Sequence, residues 1–137
     1  MKKTILITGS TDGIGLLTAQ TLAAKGHDII LHGRSAAKLA TAAKEVEGNV
    51  ASYEADLSSL DETAKLARDI LAAHNQIDVM INNAGVYMMS NPILPSGRDV
   101  RFVMNTLAPH VLTTALLPII PKDGRIINLS SAAQAPV

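Results

Sequence analysis

The sequence predicts an α/β domain built on a parallel sheet with helices on both of its faces. Three observations predict it: five short β-branched or aliphatic runs, four intervening segments of helical spacing, and their regular alternation along 137 residues. Hydrophobic residues make up 47% of the chain, enough for one core and too many for a disordered segment. No internal repeat, linker or low-complexity tract interrupts the pattern, so residues 1–137 are expected to form a single domain.

The strand candidates are Thr4 to Thr8, Asp28 to Leu31, Val50 to Tyr53, Val79 to Ile81 and Arg125 to Leu129. Each ends near a glycine or a polar break, and all are expected to be buried on both faces. The first helix is read from Gly15, Ala19, Leu22 and Ala23, a narrow face of small residues that Gly26 then terminates. The second presents Leu39, Ala42, Ala43 and Val46 behind Ser35 as N-cap. The third presents Leu60, Ala64, Ala67 and Leu71, with Ser59 and Glu62 spaced as a capping box. The fourth, from about Arg98 to Leu117, presents Val100, Met104, Leu107, Val111 and Ala115 and carries Pro109 inside it.

Composition narrows the function. Without cysteine there is no disulfide, thiolate nucleophile or Cys-based zinc site, and the reducing cytoplasm is the expected compartment. Twelve basic residues balance twelve acidic ones, and two Tyr and one Phe offer no base-stacking platform, so nucleic acid is not an expected partner. The four histidines show no ligand spacing, and no metal is expected. No run is read as approaching the roughly 20 apolar residues that span a bilayer, so no membrane partner is expected either.

The chemistry starts at the first turn. Thr8-Gly9-Ser10-Thr11-Asp12-Gly13-Ile14-Gly15 follows the first strand directly and opens the first helix. Glycines there let the backbone turn tightly and approach a pyrophosphate, which meets free N–H groups and the positive end of a helix dipole. No Lys follows in the order required by a P-loop.

The G-x-x-x-G-x-G spacing, together with Asn82-Asn83-Ala84-Gly85 after the fourth strand, resembles the short-chain dehydrogenase/reductase family. The likeness covers the whole chain and implies a Rossmann-like, doubly wound parallel sheet of strand order 3-2-1-4-5, incomplete at the C-terminus. It implies a nicotinamide dinucleotide gripped by Gly9, Ser10, Thr11, Asp12, Gly13, Ile14 and Gly15, with Asp56 and Leu57 on the adenine side. Asn83, Ala84 and Gly85 would line the cleft and, with Asn82, brace the sheet. The stretch around Asn105-Thr106-Leu107-Ala108-Pro109 and Leu116-Leu117-Pro118 is similar to the branch containing retinol-dehydrogenase-like enzymes.

The second strand ends Leu31-His32-Gly33-Arg34, without the carboxylate that would hold a ribose 2′-hydroxyl. Gly33 is read as leaving room for a 2′-phosphate and Arg34 as pairing with it, which favours NADP over NAD. Asp12 cuts against this by placing a negative charge nearby, and a solvated Arg34 beside the Ser35 cap is the plainer alternative.

By the resemblance, Ser131 matches the carbonyl-binding Ser and Asn105 the relay Asn. Pro109 supports Asn105 independently, because it has no N–H to return to the carbonyl four residues earlier, and a kink is expected there. The family's Tyr-x-x-x-Lys pair is absent from these residues: Tyr53 is followed at the fourth position by Leu57, and Tyr87 by Asn91. The expectation is the cofactor-binding part of an oxidoreductase acting on a small alcohol or carbonyl, inactive alone and a homo-oligomer when complete. A non-catalytic NADP-binding regulatory module is the competing class. A methyltransferase is disfavoured by the missing strand-end acid. Tyr87, Met88 and Met89 are read as bordering an apolar substrate or as plain loop packing.

Overall fold

A computed structural model describes residues 1–86 and 89–131. The elements alternate as expected: β1 (Thr4–Ile7), α1 (Gly13–Ala24), β2 (Asp28–Gly33), α2 (Ala36–Glu45), β3 (Val50–Glu54), α3 (Leu60–Ala73), β4 (Val79–Asn82) and β5 (Arg125–Asn128). Between β4 and β5 runs one continuous helical stretch. It comprises α4 (Val100–Phe102), a π-helical turn (Val103–Leu107), α5 (Ala108–Leu116) and a 3₁₀ turn (Leu117–Ile119). The five strands are all parallel in the order β3-β2-β1-β4-β5, so the sheet has the expected doubly wound topology.

Strand alternation distributes the core between two layers. Leu6, Ile30 and Met80 point to one face and pack with Leu66, Ala67 and Ile70 of α3 and with Ala108, Leu112 and Leu116 of α5. Ile5, Ile7, Ile29, Leu31 and Ile81 point to the other, against Ala19 and Ala23 of α1 and Leu39 and Ala42 of α2. The small α1 residues bring that helix close to the sheet, as its sequence predicts. Burial on both faces holds for β1, β2 and β4 only. β3 and β5 are the sheet's edges, and all four β5 residues are exposed.

The local signals are largely realised. Ser35 Oγ accepts from the Lys38 N–H at 3.3 Å, and Gly26, at φ +91°, ends the first helical segment with its N–H on the Ala23 carbonyl. The capping box is half formed: Ser59 Oγ accepts from Glu62 N–H, but the Glu62 carboxylate accepts from Asp56 N–H instead of returning to Ser59. Two helix faces differ from the expected ones. In α3 the buried residues are Thr63, Leu66, Ala67 and Ile70, with Leu71 exposed. In the last helix the π turn adds one residue to a turn, rotating the later face so that Ala108, Leu112 and Leu116 are buried in place of Leu107, Val111 and Ala115.

Val100–Ile119 is 20 residues long with mean hydropathy 1.4, sufficient by length and composition to cross a bilayer, which corrects the expectation that no such stretch exists. Here its buried face joins the core layer shared with α3.

The α3 register yields a direct test. Ile70→Ala should cost about 2–5 kcal/mol of unfolding free energy, while Leu71→Ala should stay within about 0.5 kcal/mol, both measured by urea denaturation.

Candidate functional site

Strand order reverses between β1 and β4, and it is there that open parallel sheets form a crevice at the carboxyl ends of their strands. Thr8 closes the bottom of that crevice. Its buried hydroxyl oxygen accepts from the N–H groups of both Asn83 and Ala84 at 3.0 Å, and its own N–H donates to the Ile81 carbonyl at 3.1 Å. The Asn83 side-chain amide donates to the Thr8 and Gly9 carbonyls at 3.1 and 2.9 Å. The turn after β1 is thus laced to the turn after β4. Thr8 escaped the candidate set because its hydroxyl works inward, and only the pairing of two distant turns reveals it.

The glycines have separate tasks. A Cβ on Gly15 would land on the Gly9 carbonyl oxygen and within 2.6 Å of Asn83 Nδ2, so Gly15 permits the helix to approach the clasp. Gly9 combines φ +62° with a hypothetical Cβ 2.9 Å from Ala84 Cα. Gly13, at φ +54°, faces open space. Gly33 lines the same crevice, and a Cβ there would land on the Thr11 side chain and meet Leu39 Cγ at 3.4 Å, so the missing side chain admits Thr11.

Two adjoining clefts flank the clasp. A cleft of about 580 Å³ brings together Gly9, Thr11, Asp12, Gly13, Ile14 and Gly15 with Arg34, Leu57, Asn83, Ala84 and Gly85. Ser10 lies beneath this wall, buried, its hydroxyl donating to the Ile7 carbonyl at 2.8 Å. Asp56 is turned toward Ser58, whose N–H and hydroxyl it accepts. Asp12, the residue before α1, makes no side-chain cap, so the helix's first N–H groups are left for an anion in the cleft. Lys38, missed in the sequence, lines the same cleft and approaches Asp12 Oδ2 to 3.6 Å. Its signal was its position four residues after Arg34, in the first turn of α2. His32 lines the cleft as well.

The second cleft, about 930 Å³, contains Asn105, Ser130 and Ser131 together with Asn82, Thr113 and Asn128. Asn105 sits in the π turn, where Oδ1 accepts from Val86 N–H at 2.9 Å and Nδ2 donates to the Val86 carbonyl at 2.7 Å. Gly85 permits this approach, since a Cβ there would come within 3.0 Å of Asn105 Oδ1. The disturbance expected near Pro109 takes the form of this π turn, with Ala108 N–H bonded five residues back to the Val103 carbonyl. Asn82 Nδ2 donates to Thr113 Oγ1 and Asn128 Oδ1, tying β4 to α5 and β5. Tyr87 and Met88 lie outside the described residues, and Met89 is exposed. Among the described residues no cluster of three or more His, Asp or Glu is placed to hold a metal.

The packing around the glycines sets an order of sensitivity. Gly15→Ala should destabilise the fold by about 3 kcal/mol through overpacking. Gly13→Ala should cost only the left-handed backbone penalty of about 1–2 kcal/mol, both read from urea unfolding.

Similarity to known proteins agrees with this geometry. The family model described as short chain dehydrogenase matches residues 3–136. The chain is 36% identical to human retinol dehydrogenase 13, over 96% of this chain and 42% of that protein. It is also 36% identical to the D-beta-hydroxybutyrate dehydrogenase of Rhizobium meliloti, over 96% of this chain and 55% of the other. The chain therefore spans about half the length of these curated relatives. A metagenomic short-chain oxidoreductase solved in complex with NADP superposes with a TM-score of 0.85 at 35% identity, covering 98% of this chain and 64% of that one. With sheet order, glycine turn and Asn-Ala-Gly turn all in place, the chain belongs to the short chain dehydrogenase family.

Proposed function

We propose that this chain is the dinucleotide-binding part of an NADP-dependent oxidoreductase that moves a hydride between nicotinamide and a small alcohol or carbonyl compound. The observation that carries this reading is the uncapped start of α1, held against the Asn83 turn at the point where strand order reverses. The N–H groups of Gly13, Ile14 and Gly15 would hold the pyrophosphate, with the cleft-lining Leu57 and its chain neighbour Asp56 on the adenine side and Asn83, Ala84 and Gly85 forming the inner wall. The nicotinamide, once bound, supplies the hydride.

The NADP preference rests on charge. β2 ends without a carboxylate, and Arg34 and Lys38 bring two cations to the same wall. Asp12 opposes a 2′-phosphate, but its pairing with Lys38 offsets that charge. In the neighbouring cleft, the Ser131 hydroxyl would polarise the substrate carbonyl oxygen. The Asn105 carbonyl, which receives no N–H from Pro109, would hold a relay water, while its side chain fixes the loop through Val86. The proton donor of that relay is assigned to a Tyr-x-x-x-Lys pair, which these 137 residues do not contain.

Titration calorimetry with NADP⁺ and NAD⁺ tests the reading. NADP⁺ should bind more tightly, and Arg34→Ala or Lys38→Ala should each weaken NADP⁺ roughly tenfold, the equivalent of one charge-assisted hydrogen bond, with little change for NAD⁺. Equal loss for both dinucleotides would refute the assignment of these cations to the 2′-phosphate. The 137 residues alone should turn over no carbonyl substrate with NADPH.

A further inference from the structure

His32 is a buried titratable side chain that the proposed chemistry does not use, 3% exposed at the carboxyl end of β2. Its ring bridges the segments that follow two other strands, β1 and β3: Nδ1 accepts from the Gly9 N–H at 3.0 Å, and Nε2 lies 2.9 Å from the Ala55 carbonyl oxygen. A backbone N–H only donates and a carbonyl only accepts, so the two bonds together require a neutral ring with its proton on Nε2. The His32 backbone is tied to the same turn. Its N–H donates to Ser10 Oγ at 3.0 Å and its carbonyl accepts from Ser10 N–H at 2.9 Å. Gly9 is thereby held on its N–H by His32 and on its carbonyl by Asn83.

We propose that His32 is a positioning residue for the dinucleotide-binding turn, acting as a neutral strap between Gly9 and Ala55, and that protonation of its ring releases the turn and weakens dinucleotide binding. The proposal rests on the reading of that turn as the dinucleotide site. A proton on Nδ1 would remove the acceptor for the Gly9 N–H and set two donors against each other. Burial holds the imidazole below its ordinary value of 6.5, outweighing the Ala55 carbonyl and the Asp56 charge, which both favour the charged form. The β1 turn presents the uncharged Gly9 and Ser10 to the ring. Tyr53, its register partner in β3, is hydrogen-bonded to His74, and Arg34 with the Asp12–Lys38 pair are the other charges of the cleft. The native state then takes up this proton less readily than the unfolded chain. The stability it confers is complete above the unfolded-state value and declines as pH falls from there toward the lower folded-state value.

Long-range ¹H–¹⁵N NMR on the full chain should show His32 as the Nε2–H tautomer at neutral pH, titrating below the ordinary imidazole value of 6.5. Calorimetry with NADP⁺ should show H32L binding at least tenfold more weakly than wild type at neutral pH. H32Q, which keeps one acceptor and one donor, should recover most of that loss. The ligand's own phosphate titrates nearby, so the decisive reading is the wild type against H32Q. Wild-type affinity should fall more steeply on acidification, in step with the His32 titration. An Nδ1–H or charged ring at neutral pH, an H32L affinity equal to wild type, or identical pH profiles for wild type and H32Q would overturn the strap while leaving the dinucleotide site intact. Failure of the wild type itself to bind NADP⁺ or NAD⁺ at neutral pH, with the tautomer as expected, would overturn the site reading and the ligand role of His32 with it.

Discussion

The close approach of the turn after β1 to the turn after β4 is the constraint on which the rest of this structure depends. Thr8 and Asn83 satisfy each other's backbone groups, and the approach is so tight that neither Gly9 nor Gly15 can carry a side chain. Buried backbone donors without partners would make such a contact costly, so the hydroxyl of Thr8 and the amide of Asn83 are what make it stable. Once these two turns are fixed, α1 must begin beside β4, and its first N–H groups must open into the crevice between them.

Electrostatics at the nucleotide end follows from what the strands do not carry. β2 stops at Gly33 without an acid, leaving Arg34 and Lys38 to set the local charge. The Asp12–Lys38 pair is exposed, and such pairs contribute at most about 1 kcal/mol to stability, so its weight lies in how it tempers the field at the cleft mouth. Gly33 acquires in the fold a role that its sequence position does not disclose. The sequence shows that a side chain is missing there, but only the packing shows that Thr11 takes the space.

The last helix shows the same division. Its apolar repeat announces a core helix, and Pro109 announces a departure from regular hydrogen bonding. Neither says that the departure is a π turn, which advances the buried face by one residue from Ala108 onward and presents Asn105 to Val86. In α3, the shift from Leu71 to Ile70 has a simpler origin. Several apolar residues were available at helical spacing, and the sheet beneath selected among them.

The sequence by itself determined the order of the elements, their parallel arrangement, the end of the first helix, the start of the second and the residues of the glycine and Asn-Ala-Gly turns. These are local matters of periodicity, capping and backbone freedom, and each is written within a few consecutive residues. Tertiary structure alone decided that Thr8 clasps Asn83, that His32 reaches both Gly9 and Ala55, that Lys38 meets Asp12, and that Asn105 holds Val86. Those contacts join residues about 20 to 75 positions apart, and their geometry exists only after the strands have taken their places in the sheet.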